Sequence, residues 1–309
     1  MRSLHFLASA ALLAVAIGAH ADTSAKVVQT GDDNDATVEQ SGPLDEAVIR
    51  QKGTANSGAV YQGEGGESNL SNIVQIGSSN DAAVYQGAES YFATASVYQE
   101  GSDNRAVVEQ TWYRNDLQIS SIGDSNFISA TQQGFAQALA YQIGNDNSVT
   151  LTQDGVYHGT QLAVYQVGDE NLATIDQGDA ADIRLAQNGN SNNAAITQYG
   201  LFGEIAFNQA GDDNLLAIEQ TGRGHSFRGS STGNGNSVEL VQQFDGNQAS
   251  IVQDGDGNLA AIRQFAEYNE ARITQTGAAN QAAITQSAAL MNAVVVQTGS
   301  GNQATVTQQ

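Results

Sequence analysis

The side chains here that could do chemistry are mostly amides and carboxylates. The 309-residue sequence carries 33 Asp+Glu against 11 Lys+Arg, a formal net charge of −22, 4 His and no Cys. Without cysteine there are no disulfides, thiolate metal sites or Cys nucleophiles. So acidic a balance argues against a nucleic-acid partner, because phosphate contacts need clustered Lys and Arg. Past residue 21 the histidines are His158 and His225, too far apart to build a zinc site. No Ser/His/Asp set has a reason to converge, and no phosphate-loop or dinucleotide motif occurs. Asp254-Gly255-Asp256-Gly257-Asn258 has part of the form of a calcium loop, but Leu259 stands where that loop needs Gly, and no Glu closes it. No carboxylate pair breaks the pattern described below in the way a glycosidase site would. The reading is of a protein that is not an enzyme and uses no cofactor or metal.

What remains is hydrogen bonding between carboxamides. An amide both donates and accepts, so identical amides stacked at strand spacing satisfy one another. The sequence is built to stack them. A unit Q-x-G-x-x-N-x-A-x-V-x-Q recurs in thirteen copies, starting at Gln29, Gln51, Gln75, Gln99, Ser121, Gln142, Gln166, Gln187, Gln209, Ser231, Gln253, Gln275 and Gln297. The Gly two places on, the Asn five places on and the Gln eleven places on occur in every copy. Fixed-period self-similarity of this length signals a solenoid.

The elements that must position these amides are strands. Asn34, Ala36, Val38 and Gln40 share one side of an extended chain, and Asn280, Ala282, Ile284 and Gln286 repeat that parity. A second, weaker strand follows in each unit, as in Asn247, Ala249, Ile251 and Gln253. Gly31, Gly53, Gly77, Gly277 and Gly299 supply turns, since Gly tolerates positive φ. Two-residue insertions between Gln62 and Gln75, Gln86 and Gln99, and Gln153 and Gln166 spare the patterned strand and are expected to be loops. The fold class is therefore all-β: a parallel β-solenoid of about thirteen 22-residue strand-turn-strand rungs, with two facing sheets in cross-β fashion.

On this reading the inward amides form assembly ladders: Gln29, Asn34, Gln40, Gln51, Asn56, Gln62, Gln75, Asn80, Gln86, and later Gln275, Asn280, Gln286, Gln297, Asn302 and Gln308. A buried amide without a partner costs about 1–3 kcal/mol, and a column removes that cost while setting register. Ser121 and Ser231 interrupt the Gln column. Acidic turns, among them Asp32-Asp33 and Asp212-Asp213, bring like charges together at the rung spacing and are candidate gatekeepers against early assembly. Ala25, Val27 and Gln29 read as the second strand of a rung whose first strand is missing, and residues 303–308 as a first strand without its second. Two copies would complete each other head to tail, a contact that propagates as an open filament.

Residues 1–21 read as a secretory signal peptide: Arg2, a mostly apolar stretch from Leu4 to Ile17, and Ala19-His20-Ala21 as cleavage site. Residues 22–309 are expected to form a single repeat domain, with no membrane span.

The thirteen Q-x-G-x-x-N-x-A-x-x-x-Q copies resemble the curlin repeat of bacterial curli fibre subunits, over essentially all of residues 29–309. The resemblance implies a secreted, extracellular functional amyloid at the surface of a Gram-negative bacterium, supporting adhesion and biofilm matrix. It also implies three partners: other copies of the chain, a related nucleating subunit, and an outer-membrane curli secretion channel. A nucleator, or a monomeric surface adhesin or ligand-binding β-solenoid, is the alternative. Calcium-roll nonapeptides are absent, and outward T-x-T pairs are confined to Thr150–Thr152 and Thr305–Thr307 in the patterned strand, which leaves little for ice binding.

Overall fold

The computed structural model describes residues 11–16, 23–87, 89–178 and 180–309. It is an all-β parallel solenoid of about thirteen turns, and the described residues contain no helix. They fall into two compact units, one reaching to Gly134 and the other running from Phe135 to Gln309.

In the first unit two parallel stacks run side by side. One takes the strands Asp35–Gln40, Ser57–Gln62, Asp81–Gln86 and Arg105–Thr111; the other takes Ser24–Thr30, Glu46–Thr54, Leu70–Ser78, Thr94–Ser102 and Asp116–Ile122. The second unit repeats this plan. Its first stack runs from Leu172–Gln177 through Asn193–Tyr199, Leu215–Thr221, Ser237–Gln243, Leu259–Gln264 and Gln281–Gln286 to Gln303–Gln308. Its second stack runs from Asp182–Asn188 through Glu204–Ala210, Ser226–Thr232, Gln248–Asp254 and Glu270–Thr276 to Asn292–Thr298.

Register is residue for residue across rungs of unequal length. Gln40 stands beside Gln62 and Gln62 beside Gln86, although the sequence separations are 22 and 24. The extra residues after Gln62 and Gln86 lie between strands. The third insertion does not make a loop: residues 148–167 form one continuous strand. Gly155 and Gly159 there run close against the main chain at Phe135, so an extended bend replaces a turn.

The alternating pattern buries one side of every strand. Ala36, Val38, Ile49 and Val60 line the first unit, and Ile183, Leu185, Ile196 and Ile218 the second. The turn after each Gln is tight because successive turns nest. A Cβ on Gly31 (φ 112°) would fall on the Gly53 carbonyl oxygen, so only glycine fits. Two residues later the chain is left-handed again, at Asp33 and Asp213 (φ 54° and 59°), positions where Asp is tolerated.

Most of the expected signal peptide, including Ala19-His20-Ala21, lies outside the described residues. Ala11–Ala16 is a strand, paired in parallel with Asp35–Gln40, with Ala16 opposite Gln40. The position read from sequence as a missing first strand is therefore occupied, in the full chain, by Ala11–Ala16.

Candidate functional site: the internal amide columns

The expected ladder residues are buried, except Gln29 and Gln308, which are half-buried, and Asn302, which is exposed, and the columns are continuous over long runs. In the first unit Gln29 Nε2 donates to Gln51 Oε1 (2.8 Å), Gln51 to Gln75 (2.9 Å) and Gln75 to Gln99 (2.9 Å). On the facing stack Gln40 donates to Gln62 (2.7 Å), Gln62 to Gln86 (2.8 Å) and Gln86 to Gln110 (3.0 Å). In the second unit Gln253 donates to Gln275 (3.1 Å), Gln275 to Gln297 (2.9 Å) and Gln286 to Gln308 (2.8 Å). The second proton of each amide goes to main chain: Gln51 Nε2 also reaches the Asp35 carbonyl at 2.7 Å. Pairing of this kind is what makes a buried amide core tolerable.

The Asn columns run the other way. Asn56 Nδ2 donates back to Asn34 Oδ1 (2.9 Å) and forward to the Gly77 carbonyl (3.0 Å), and its own N–H also reaches Asn34 Oδ1 (3.1 Å). Asn80 repeats this against Asn56 and Gly101, and Asn280 against Asn258 and Gly299. Asn302 donates to Asn280 Oδ1 at 2.8 Å. One Asn thus ties three rungs together and holds the glycine turn of the next. Only a short side chain can do this at the start of a strand, which explains why Asn stands there and Gln at the strand's far end.

The second stack has no such uniform column. The corresponding places hold Asp45, Asn69, Asn115, His225, Asn247 and Asn269 among others, all buried. Asp45 Oδ1 accepts from Asn69 main chain (3.0 Å) and side chain (3.2 Å). Burial pushes the Asp45 carboxyl above the usual carboxylate range. His225 Nε2 lies 3.1 Å from the Thr221 carbonyl, and burial pushes its imidazole below the usual histidine range. Both residues escape a sequence pattern that follows only the stronger strand.

Ser231 behaves as a gap in its column. Ser231 Oγ reaches forward to Gln253 Oε1 (2.7 Å), while Gln209 turns its Nε2 to the Asn193 carbonyl (3.3 Å).

The acidic turns do more than carry charge. Asp212 Oδ1 accepts the Asn190 N–H (2.8 Å), and Asn234 Oδ1 accepts the Asp212 N–H (2.8 Å). The same bond joins Asp169 to Asn190 (2.9 Å) and Asn234 to Asp256 (2.7 Å). In this column Asp and Asn alternate, so each carboxylate has a neutral neighbour. Asp32 instead donates its N–H to the Gly53 carbonyl (3.1 Å).

Outside the core, Tyr61 and Tyr85 stack with ring centroids 4.8 Å apart, a direct measure of the rung spacing. The described residues contain no cluster of His, Asp and Glu that could hold a metal, and no helix long and apolar enough to cross a membrane.

Geometry of this kind defines a structural repeat protein, a stack whose functional side chains are satisfied by their own copies in the next rung. Residues 123–155 and 233–265 each match the curlin associated repeat, so these two stretches are similar to that family's repeat. No curated protein matches the chain.

Proposed function

We propose that the chain is a secreted structural subunit of an extracellular, curli-like amyloid fibre that supports adhesion and biofilm matrix. The observation that carries this reading is the in-register amide column: a surface that satisfies an identical surface one rung away is also complementary to another copy of itself. Among the described residues, Asn292–Thr298 and Gln303–Gln308 have a strand neighbour on one side only. Ala304, Val306 and Gln308 are half-buried there, where equivalent residues such as Ala282, Ile284 and Gln286 are buried. Ser24–Thr30 is the matching one-sided strand, paired among the described residues only with Glu46–Thr54. Docking it beside residues 303–308 of a second copy completes a rung and sets Gln297 on Gln29 and Gln308 on Gln40 of that copy. The ladder residues, turn glycines and acidic turns then serve assembly, and residues 22–309 act as one repeat domain after loss of 1–21. A related nucleating subunit and an outer-membrane curli channel are the further partners.

Incubating purified residues 22–309 in buffer tests this. The expected product is a thioflavin-positive fibre with a repeat of about 4.8 Å along its axis. A soluble monomer that persists for days contradicts it. Seeding of another curlin at substoichiometric amounts would assign the nucleator role instead.

A further inference from the structure

The unit from Phe135 to Gln309 holds five Lys+Arg, and three of them, Arg184, Arg228 and Arg272, share one outward column. Register places Arg184 beside Ala206, Ala206 beside Arg228, Arg228 beside Ser250, and Ser250 beside Arg272. An exposed guanidinium therefore recurs on every second rung, about 9.6 Å apart at twice the interstrand distance, with a small residue between. These small residues leave hollows. One, of about 360 Å³, is lined by Tyr165, Arg184, Ala186, Ala206 and Asn208 among others. The other, of about 280 Å³, lies among Arg228, Gln248, Ser250, Glu270 and Arg272. Arg184 and Arg272 make no ion pair among the described residues, and Arg228 is held only by Glu204 in an exposed pair (2.7 Å).

We infer that this face binds a linear acidic polysaccharide lying along the stack, with one anionic group per two rungs paired to an arginine. Guanidinium groups match carboxylate and sulfate oxygens in planar, two-point fashion. The neighbouring column carries Asp182, Glu204, Gln248 and Glu270, which accept or exchange hydrogen bonds with hydroxyl groups. Tyr165, exposed at one edge of the first hollow, offers a ring to a sugar face. The same carboxylates disfavour nucleic acid, each strand of whose duplex carries a phosphate about every 3.4 Å along the axis, far denser than this row of arginines. A polymer with one charge per disaccharide brings its anions to the arginines and its hydroxyls to the acids. The surface lies within a single chain, so it does not depend on fibre assembly.

The test is binding of the full chain to fluorescent hyaluronan, a polymer with one carboxylate per disaccharide, with neutral dextran and single-stranded DNA alongside. Hyaluronan should bind with salt-dependent affinity, and dextran and DNA should bind much more weakly. The double variant Arg184→Gln/Arg272→Gln should weaken hyaluronan binding by about tenfold, as expected for two exposed charge-assisted contacts, while Arg105→Gln, outside this column, should leave it unchanged. Circular dichroism of the variants confirms that the fold is kept, since these side chains point outward. Equal binding of dextran, tighter binding of DNA, an unaltered affinity of the double variant, or no hyaluronan binding would each overturn the inference.

Discussion

The carboxamide of Gln177 does not meet that of Gln198. Gln177 Nε2 donates instead to the Ala181 carbonyl (2.6 Å) and the Gln161 carbonyl (3.1 Å), and Gln198 Oε1 is buried with no partner. The cause is local. The repeat from Gln166 to Gln187 is one residue shorter than the 22-residue unit, so the chain turns back early and brings Ala181 under the Gln177 side chain. Beyond this point the ladder resumes, with Gln198 donating to Gln220 at 2.9 Å. Backbone amides shared by Leu172–Gln177 and Asn193–Tyr199 should exchange with deuterium faster than those shared by Asn193–Tyr199 and Leu215–Thr221. Equal protection at the two junctions would contradict this.

Asp45 and His225 give opposite pH dependences. The carboxyl of Asp45 is raised in the folded state, so its contribution is complete below the unfolded value near 3.8 and is lost as pH rises through the folded value. The imidazole of His225 is lowered, so its contribution is present above the unfolded value near 6.5 and is lost as pH falls through the folded one. Asp45→Asn should stabilise the chain at pH 7 by about 1–3 kcal/mol, because a neutral amide carries no charge to bury. His225→Asn should remove the acid-side loss and leave the neutral side little changed. Denaturation midpoints measured from pH 4 to pH 8 check both, and unchanged pH profiles would refute the assignment.

Filling the gap at Ser231 should strengthen its rung. Ser231→Gln restores an amide between Gln209 and Gln253, worth about 1 kcal/mol for a completed buried hydrogen bond. It should raise the thermal midpoint and shorten the assembly lag. A lower midpoint would mean the position is too crowded for Gln.

On the proposed assembly, alternation of Asp and Asn in the first turn would set the strength of an electrostatic brake. Charges two rungs apart repel by about 0.4 kcal/mol in water, against about 0.9 kcal/mol for adjacent rungs. Asn190→Asp with Asn234→Asp makes the carboxylates adjacent from Asp169 to Asp256. This should lengthen the lag at low salt and have little effect at high salt, where the repulsion is screened. Lag times that do not differ between variant and parent at low salt, or between the two salt concentrations, would reject the gatekeeper reading.

Much of the fold is legible in the sequence because period-2 alternation and a constant Gly–Asn–Gln spacing leave few alternatives. The spacing of Ala36, Val38 and Gln40 alone marks the buried face. The opposed direction of the Gln and Asn bonds is not legible, since it depends on how far each side chain reaches from its strand. Nor is the role of Asp212, which looks like a surface charge but accepts the Asn190 N–H. The extended path from Gln153 to Gln166 reads as a loop because a two-residue excess has the same sequence signature whether the chain turns or bends. His225 and Asp45 carry no sequence signal because their column varies too much to count as a pattern. The arginine row emerges only with the register: Arg184, Arg228 and Arg272 are 44 residues apart, two rungs of the stack.

The central claim is that copies of the chain join by extending the same amide columns. Fibres grown from a mixture of ¹⁵N-labelled and ¹³C-labelled residues 22–309 allow solid-state NMR to detect contacts between copies alone. The account predicts cross-peaks from the Gln297 and Gln308 side-chain nitrogens to the Gln29 and Gln40 side-chain carbonyl carbons of the neighbouring copy. Fibres in which those contacts are missing, and copies touch only through outward residues such as Tyr61 and Tyr85, would contradict it.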